Sequence, residues 1–123
     1  MQRFNPHSSH AARAVQCWQI LVGLAMNRQT ISYKGLSELM YQKPAAGVMN
    51  EILGHVAFYC IDHEHPPLTS IVVNASGVPG AGIPVDLETI VEQREGAYPP
   101  RYDWYDIYPP SEADLVASFQ RKR

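Results

Sequence analysis

Three stretches of this 123-residue chain have side chains of the types and spacing that do chemistry. Cys60, His63 and His65, with Asp62 between them, set a thiol and two imidazoles at Cys-x2-His-x-His spacing. A zinc site wants about four such ligands converging tetrahedrally, and Cys17 is the other thiol available. Both cysteines fall on apolar helical faces, whereas the histidines sit in a polar helix end before Pro66-Pro67. The spacing therefore reads as a helix C-terminus, where cationic imidazoles favour the dipole. No metal and no other cofactor is expected. His55 has no Ser or Cys nucleophile spaced to pair with it and reads as a helix-surface residue. The glycines from Gly77 to Gly82 lack the Gly-Lys-Ser/Thr ending and following helix of a phosphate loop, so they read as a turn. The third stretch, Tyr102 to Tyr108, alternates rings with Asp103 and Asp106 between two proline pairs. Trp and Tyr are favoured interface anchors. Tyr102, Trp104, Tyr105 and Tyr108 are thus candidate protein-contact residues as well as candidates to seal a domain edge.

The elements that must position these residues follow from periodicity. Ser8 or Ser9 is placed to cap a first helix over about 9–27. Its inward face is Ala14, Cys17, Trp18, Leu21, Leu24 and Ala25, at spacings of three and four. Residues 30–33 form a short β-prone connector, and residues 34–42 a short helix with Leu36, Leu39 and Met40 inward. Pro44 suits the first turn of a third helix, which runs to about Asp62 and buries Val48, Met49, Ile52, Val56 and Cys60. Leu68 to Asn74, rich in β-branched residues, reads as a buried strand, with turn residues and a return segment after it. Asp86 is placed to cap a helix over about 87–95, and Ser111 a last one, with Asp114 completing the capping box.

Hydrophobic residues are 46% of the chain and charged residues 18%, enough for a packed core without a disulfide or metal staple. The formal net charge is −2, against a protein that coats nucleic acid or anionic membrane by bulk charge. No apolar run has the roughly 18 residues of a membrane span, and no apolar stretch follows Arg3 as in a signal peptide. A cytoplasmic protein with buried free thiols and no membrane partner is expected. Charge is unevenly placed. Residues 86–114 hold eight acids against Arg94 and Arg101 alone, while Arg121, Lys122 and Arg123 close the chain. The chain divides accordingly into a body, 1–85, and an acidic, aromatic extension, 86–123, packed on the same domain.

Helix, short helix, longer helix and hairpin is the order of a winged helix-turn-helix, an α+β fold. In that order stand Thr30-Ile31-Ser32-Tyr33, Leu36, Pro44-Ala45-Ala46-Gly47-Val48 and Val72-Val73-Asn74-Ala75-Ser76-Gly77. Residues 11–83 so read resemble the DNA-binding domain of alkylguanine-DNA alkyltransferases and the non-enzymatic alkyltransferase-like proteins. The resemblance implies a third helix laid against a duplex, with a base flipped into a pocket because its reactive atom is inaccessible in the stack. Tyr33 and Ala46 match positions at which the family meets DNA, and with the nearby Lys34, Lys43 and Asn50 they are the candidate nucleic-acid contacts. Tyr33 keeps the nucleotide-rotating tyrosine, but Ala46 stands where the family inserts an arginine. Leu68, Thr69, Ser70 and Ile71 stand where the family carries its reactive Pro-Cys-His-Arg. Alkyl transfer needs a thiolate activated by a neighbouring His, and Thr69 offers neither.

The chain is therefore expected to be no enzyme. One reading is a non-catalytic, alkyltransferase-like winged helix that holds double-stranded DNA weakly, through Lys34, Lys43, Arg28 and the terminal cluster. The residues 44–65 carry acids and no Lys or Arg, which limits phosphate contacts. The alternative is a protein-interaction module, a small adaptor or inhibitor such as phage or mobile elements carry, whose acidic aromatic surface faces a basic partner.

Overall fold

The computed structural model describes residues 10–41, 46–74 and 87–121, with backbone alone at 46–48 and 87. Five helices dominate: α1 (His10–Met26), α2 (Tyr33–Tyr41), α3 (Ala46–Asp62), α4 (Ile90–Gly96) and α5 (Glu112–Arg121). Two short strands, β1 (Ile31–Ser32) and β2 (Val72–Val73), pair in parallel with Ile31 opposite Val72 and Ser32 opposite Val73. The described part is thus mostly helical with a small parallel sheet. The expected return strand and its glycine turn, like Lys43, Pro44 and the cap at Asp86, lie outside the described residues.

The core is a three-helix contact. The most extensive packing joins α3 to α5, followed by α1 to α3 and α1 to α5. Leu21 of α1, Ile52 and Val56 of α3 and Leu115 of α5 are fully buried in one cluster with Trp18, Met49 and Leu53. The spacings of three and four that define the α1 stripe hold: Ala14, Cys17, Trp18, Leu21 and Ala25 are buried, Leu24 half-buried. The extension is no mere strap on a finished body. Its last helix supplies one side of the core.

Two positions expected to be inward or outward are reversed. Leu39 is 59% exposed, because α2 meets the core through the Leu36, Ser37 and Met40 stripe and position 39 turns away from it. His55 is buried on α3, stacked on Phe119 of α5 with ring centroids 4.0 Å apart. The strand expected over 68–74 is also shorter. Residues 68–71 wind into a 3-10 turn, with the Ser70 N–H donating to the Pro67 carbonyl at 3.0 Å, and only 72–73 find a partner in two-residue β1. The helix expected over 87–95 begins as a 3-10 turn, Leu87–Thr89, before α4.

Helix ends are built locally. At the start of α5 the Ser111 hydroxyl accepts from the Asp114 N–H at 3.1 Å, and the Asp114 carboxylate accepts from the Ser111 N–H at 2.9 Å. That is the reciprocal capping box. α1 and α3 end alike. The N–H of Gln29 donates to the Leu24 carbonyl and that of Arg28 to Ala25; the N–H of His65 donates to Cys60 and that of Glu64 to Ile61. Both are Schellman motifs, with Arg28 (φ 56°) and Glu64 (φ 58°) in the left-handed position that usually takes glycine.

Candidate functional site

Each Schellman turn delivers its next side chains to the extension. After α1, the Arg28 guanidinium pairs with Glu95 at 2.8 Å, donates to the Pro99 carbonyl at 2.7 Å and lies 5.0 Å from the Tyr98 ring centre. The Tyr98 hydroxyl donates to the Gln29 carbonyl at 3.0 Å. After α3, His65 is bonded through Nδ1 to the Tyr102 hydroxyl and packs 5.7 Å from the Trp104 ring. Trp104 donates its indole N–H to the Ala97 carbonyl at 2.8 Å and meets Trp18 edge to face at 5.4 Å. Burial, and secondarily the neighbouring His63, hold the His65 pKa below its ordinary value. His65 is therefore poised to be neutral, opposite to the cationic role expected of this helix end.

Beside this joint lies an open groove of about 310 Å³, lined by Trp18, Gln19 and Val22 of α1 and by Trp104, Tyr105, Ile107 and Pro109. Trp104 and Trp18 are nearly covered, so they form its floor, while Tyr105, 67% exposed, stands at its rim. Tyr108 beside it is 94% exposed. The four rings singled out in the extension thus divide into two jobs. Trp104 and half-buried Tyr102 seal the domain, and Tyr105 and Tyr108 face solvent.

The residues expected to touch nucleic acid are less concentrated. Tyr33 is half-buried at the start of α2, Lys34 and Asn50 are exposed, and Lys43 and the Ala46 side chain lie outside the described residues. α3 is covered from Ile52 to Ala57 and again at Tyr59 and Cys60. Near its start Glu51 bonds His10, and near its end Asp62 bonds Arg121 at 2.7 Å. Two cations expected to reach phosphates, Arg28 and Arg121, are thus paired with acids of their own chain.

Thr69 and Ser70, standing where the resemblance would put a reactive Cys-His, lie in the 3-10 turn and are 1% and 0% exposed. Arg94 of α4 donates to the Ser70 carbonyl at 2.8 Å, fastening α4 over that turn. The two thiols sit elsewhere in the core. Burial pushes Cys60 up to about 12 and Cys17 higher still, so both stay protonated at neutral pH. Among the described residues no group of three His, Cys, Asp or Glu side chains is placed to hold a metal ion. Nor is any described helix long and apolar enough to cross a membrane. The groove was not legible in the sequence, since its two walls come from residues 18–22 and 104–109. The acid–aromatic alternation pointed to one wall only. No protein-family model, no curated protein and no solved structure matches this chain.

Proposed function

We propose that this chain is a non-catalytic protein-interaction module. On this reading it has an alkyltransferase-like, winged-helix ancestry, has lost the alkyl acceptor, and works through its acidic aromatic extension. The observation that carries the reading is the exposure of Tyr105 at the rim of an apolar groove, with Tyr108, Asp103 and Asp106 exposed near it in sequence. Large exposed aromatics in a contiguous apolar patch mark contact surfaces. Acids around such a patch select a basic partner and speed its encounter.

The covering of α3 by α1 and α5 supports this reading over a duplex-holding one, because a groove-reading helix needs a free face. The duplex reading keeps two supports, the order of α2 and α3 and the exposed Lys34. One titration separates them. Fluorescence anisotropy is followed with a labelled cationic peptide of alternating Arg and Ala, and separately with a labelled DNA duplex. The interaction reading expects peptide binding that weakens with salt and with Asp103→Asn plus Asp106→Asn. It expects duplex affinity no tighter than roughly 10⁻⁶ M at physiological salt. Nanomolar duplex binding that Lys34→Glu removes would overturn it.

A further inference from the structure

We propose that the groove between α1 and residues 104–109 docks an extended, basic, proline-bearing segment of a partner protein. The inference rests on the interaction-module reading and names the partner's chemistry. Among the described residues the lining holds no ionisable acid or base other than the Tyr105 phenol, so the groove is built to bind an apolar group rather than to transform one. Its volume, about 310 Å³, is at the floor of the roughly 300–1,000 Å³ range of ligand pockets. That is room for one or two side chains, not for a nucleotide cofactor.

Charge complementarity gives the occupant its sign. Residues 102–120 contain Asp103, Asp106, Glu112 and Asp114 and no Lys, Arg or His; α1 carries no charge from Ala14 to Met26. Asp103 and Asp106 flank Tyr105 in sequence and are exposed. No cation of either wall competes with an incoming one. Arginine or lysine on both sides of the inserted group suits this rim.

Backbone chemistry then argues for proline as that group. The rim is extended at Ile107, and Pro109 and Pro110 beyond it offer no N–H. A strand laid against it forms no regular ladder, and its own N–H groups are stripped of water without replacement. A proline-bearing segment has fewer donors to strand and already holds an extended shape, so less entropy is lost on docking. Aromatic-lined grooves take such segments by packing pyrrolidine rings on tryptophan and tyrosine. Here the exposed Tyr105 ring supplies the packing face, over a floor closed by the nearly covered Trp18 and Trp104 indoles. Gln19, exposed on α1, supplies an amide to a peptide carbonyl.

The test compares three labelled probes by anisotropy: an Arg-flanked proline-rich peptide, the same peptide with every proline replaced by alanine, and a DNA duplex. Burying one pyrrolidine ring, on the order of 50 Å² of apolar surface, makes the proline peptide about tenfold tighter. Tyr105→Ala removes that advantage, and so does Gln19→Arg, which sets a cation at the mouth. Both positions are exposed, and an unchanged thermal midpoint confirms that each variant is folded. Equal affinity for the two peptides, with both lost in Asp103→Asn plus Asp106→Asn, overturns the groove proposal and leaves the acidic-surface reading standing. Binding of neither peptide, or of the duplex alone, overturns both. Proline-dependent binding that survives Tyr105→Ala and Gln19→Arg overturns the placement of the site.

Discussion

Trp104 meets Trp18 edge to face, ring centroids 5.4 Å apart and planes at 84°, so the extension and the first helix share one aromatic joint. Truncating Trp104 to alanine is expected to cost about 3–5 kcal/mol, the range for large buried rings. Its indole N–H bond to Ala97 is lost with it. Urea denaturation measures this. A midpoint equal to that of the parent protein would detach the extension from the cooperative core.

Stability should fall in mild acid because of His65. Its folded pKa lies below the ordinary value, chiefly through burial, whereas in the unfolded chain it titrates near about 6.5. The unfolded state therefore binds more protons in that window. The contribution is fully present above about pH 6.5 and is lost as pH falls through the lower folded value. His65→Gln should flatten the thermal midpoint between about pH 7 and pH 5. Asp62, held low mainly by its hydrogen bond from Arg121, acts in the same direction only below about pH 4. A parent midpoint that is flat down to pH 5 would remove His65 from this role.

Gly54 is needed for the seat of α5. A methyl group there would lie 3.0 Å from Cε1 of Phe119, whose ring is already stacked on His55. Glycine inside a helix normally costs about 0.5–1 kcal/mol relative to alanine. Gly54→Ala should recover little of that. Gly54→Leu should destabilise by about 1–3 kcal/mol, as overpacked cores do. Guanidinium denaturation of both variants checks this, and a clearly more stable Gly54→Leu would show that α5 is free to shift.

Alkyl transfer should be absent. A buried Thr69 hydroxyl and two protonated, buried thiols offer no thiolate to a benzylguanine-type substrate. Incubation followed by intact-mass measurement should return the parent mass. The same thiols should resist a disulfide reagent until denaturant is added. A stoichiometric adduct under native conditions would contradict both expectations.

What could be read in advance was local. The α1 stripe, the span of α3 and the Ser111–Asp114 box depend on residues a few positions apart, where periodicity and capping chemistry speak directly. The burial of His55 and the exposure of Leu39 are not legible locally, because nothing in α3 says where Phe119 will lie and nothing in α2 says which of its apolar residues meets the core. The 3-10 turn at Leu68–Ile71 depends on how little edge β1 offers, not on the β-branched residues that suggested a strand. The pairing of Arg28 with Glu95, 67 residues on, turned an expected phosphate contact into an internal ion pair. The groove failed to appear for the same reason. Its walls are brought together by the Trp18–Trp104 joint, between residues 86 positions apart.

The packing of α5 between α1 and α3 also has a consequence for how the chain is made. α1 and α3 both precede α5 in the chain, and the side completed by Leu115 and Phe119 stays bare until residues 112–121 have been synthesised. Contacts so distant in sequence form slowly, and bare apolar helix surface invites association with other chains meanwhile. A nascent chain stalled before Ser111 would expose Gly54, His55 and Phe58, the α3 residues on which Phe119 packs, a sticky intermediate of the kind that chaperones recognise.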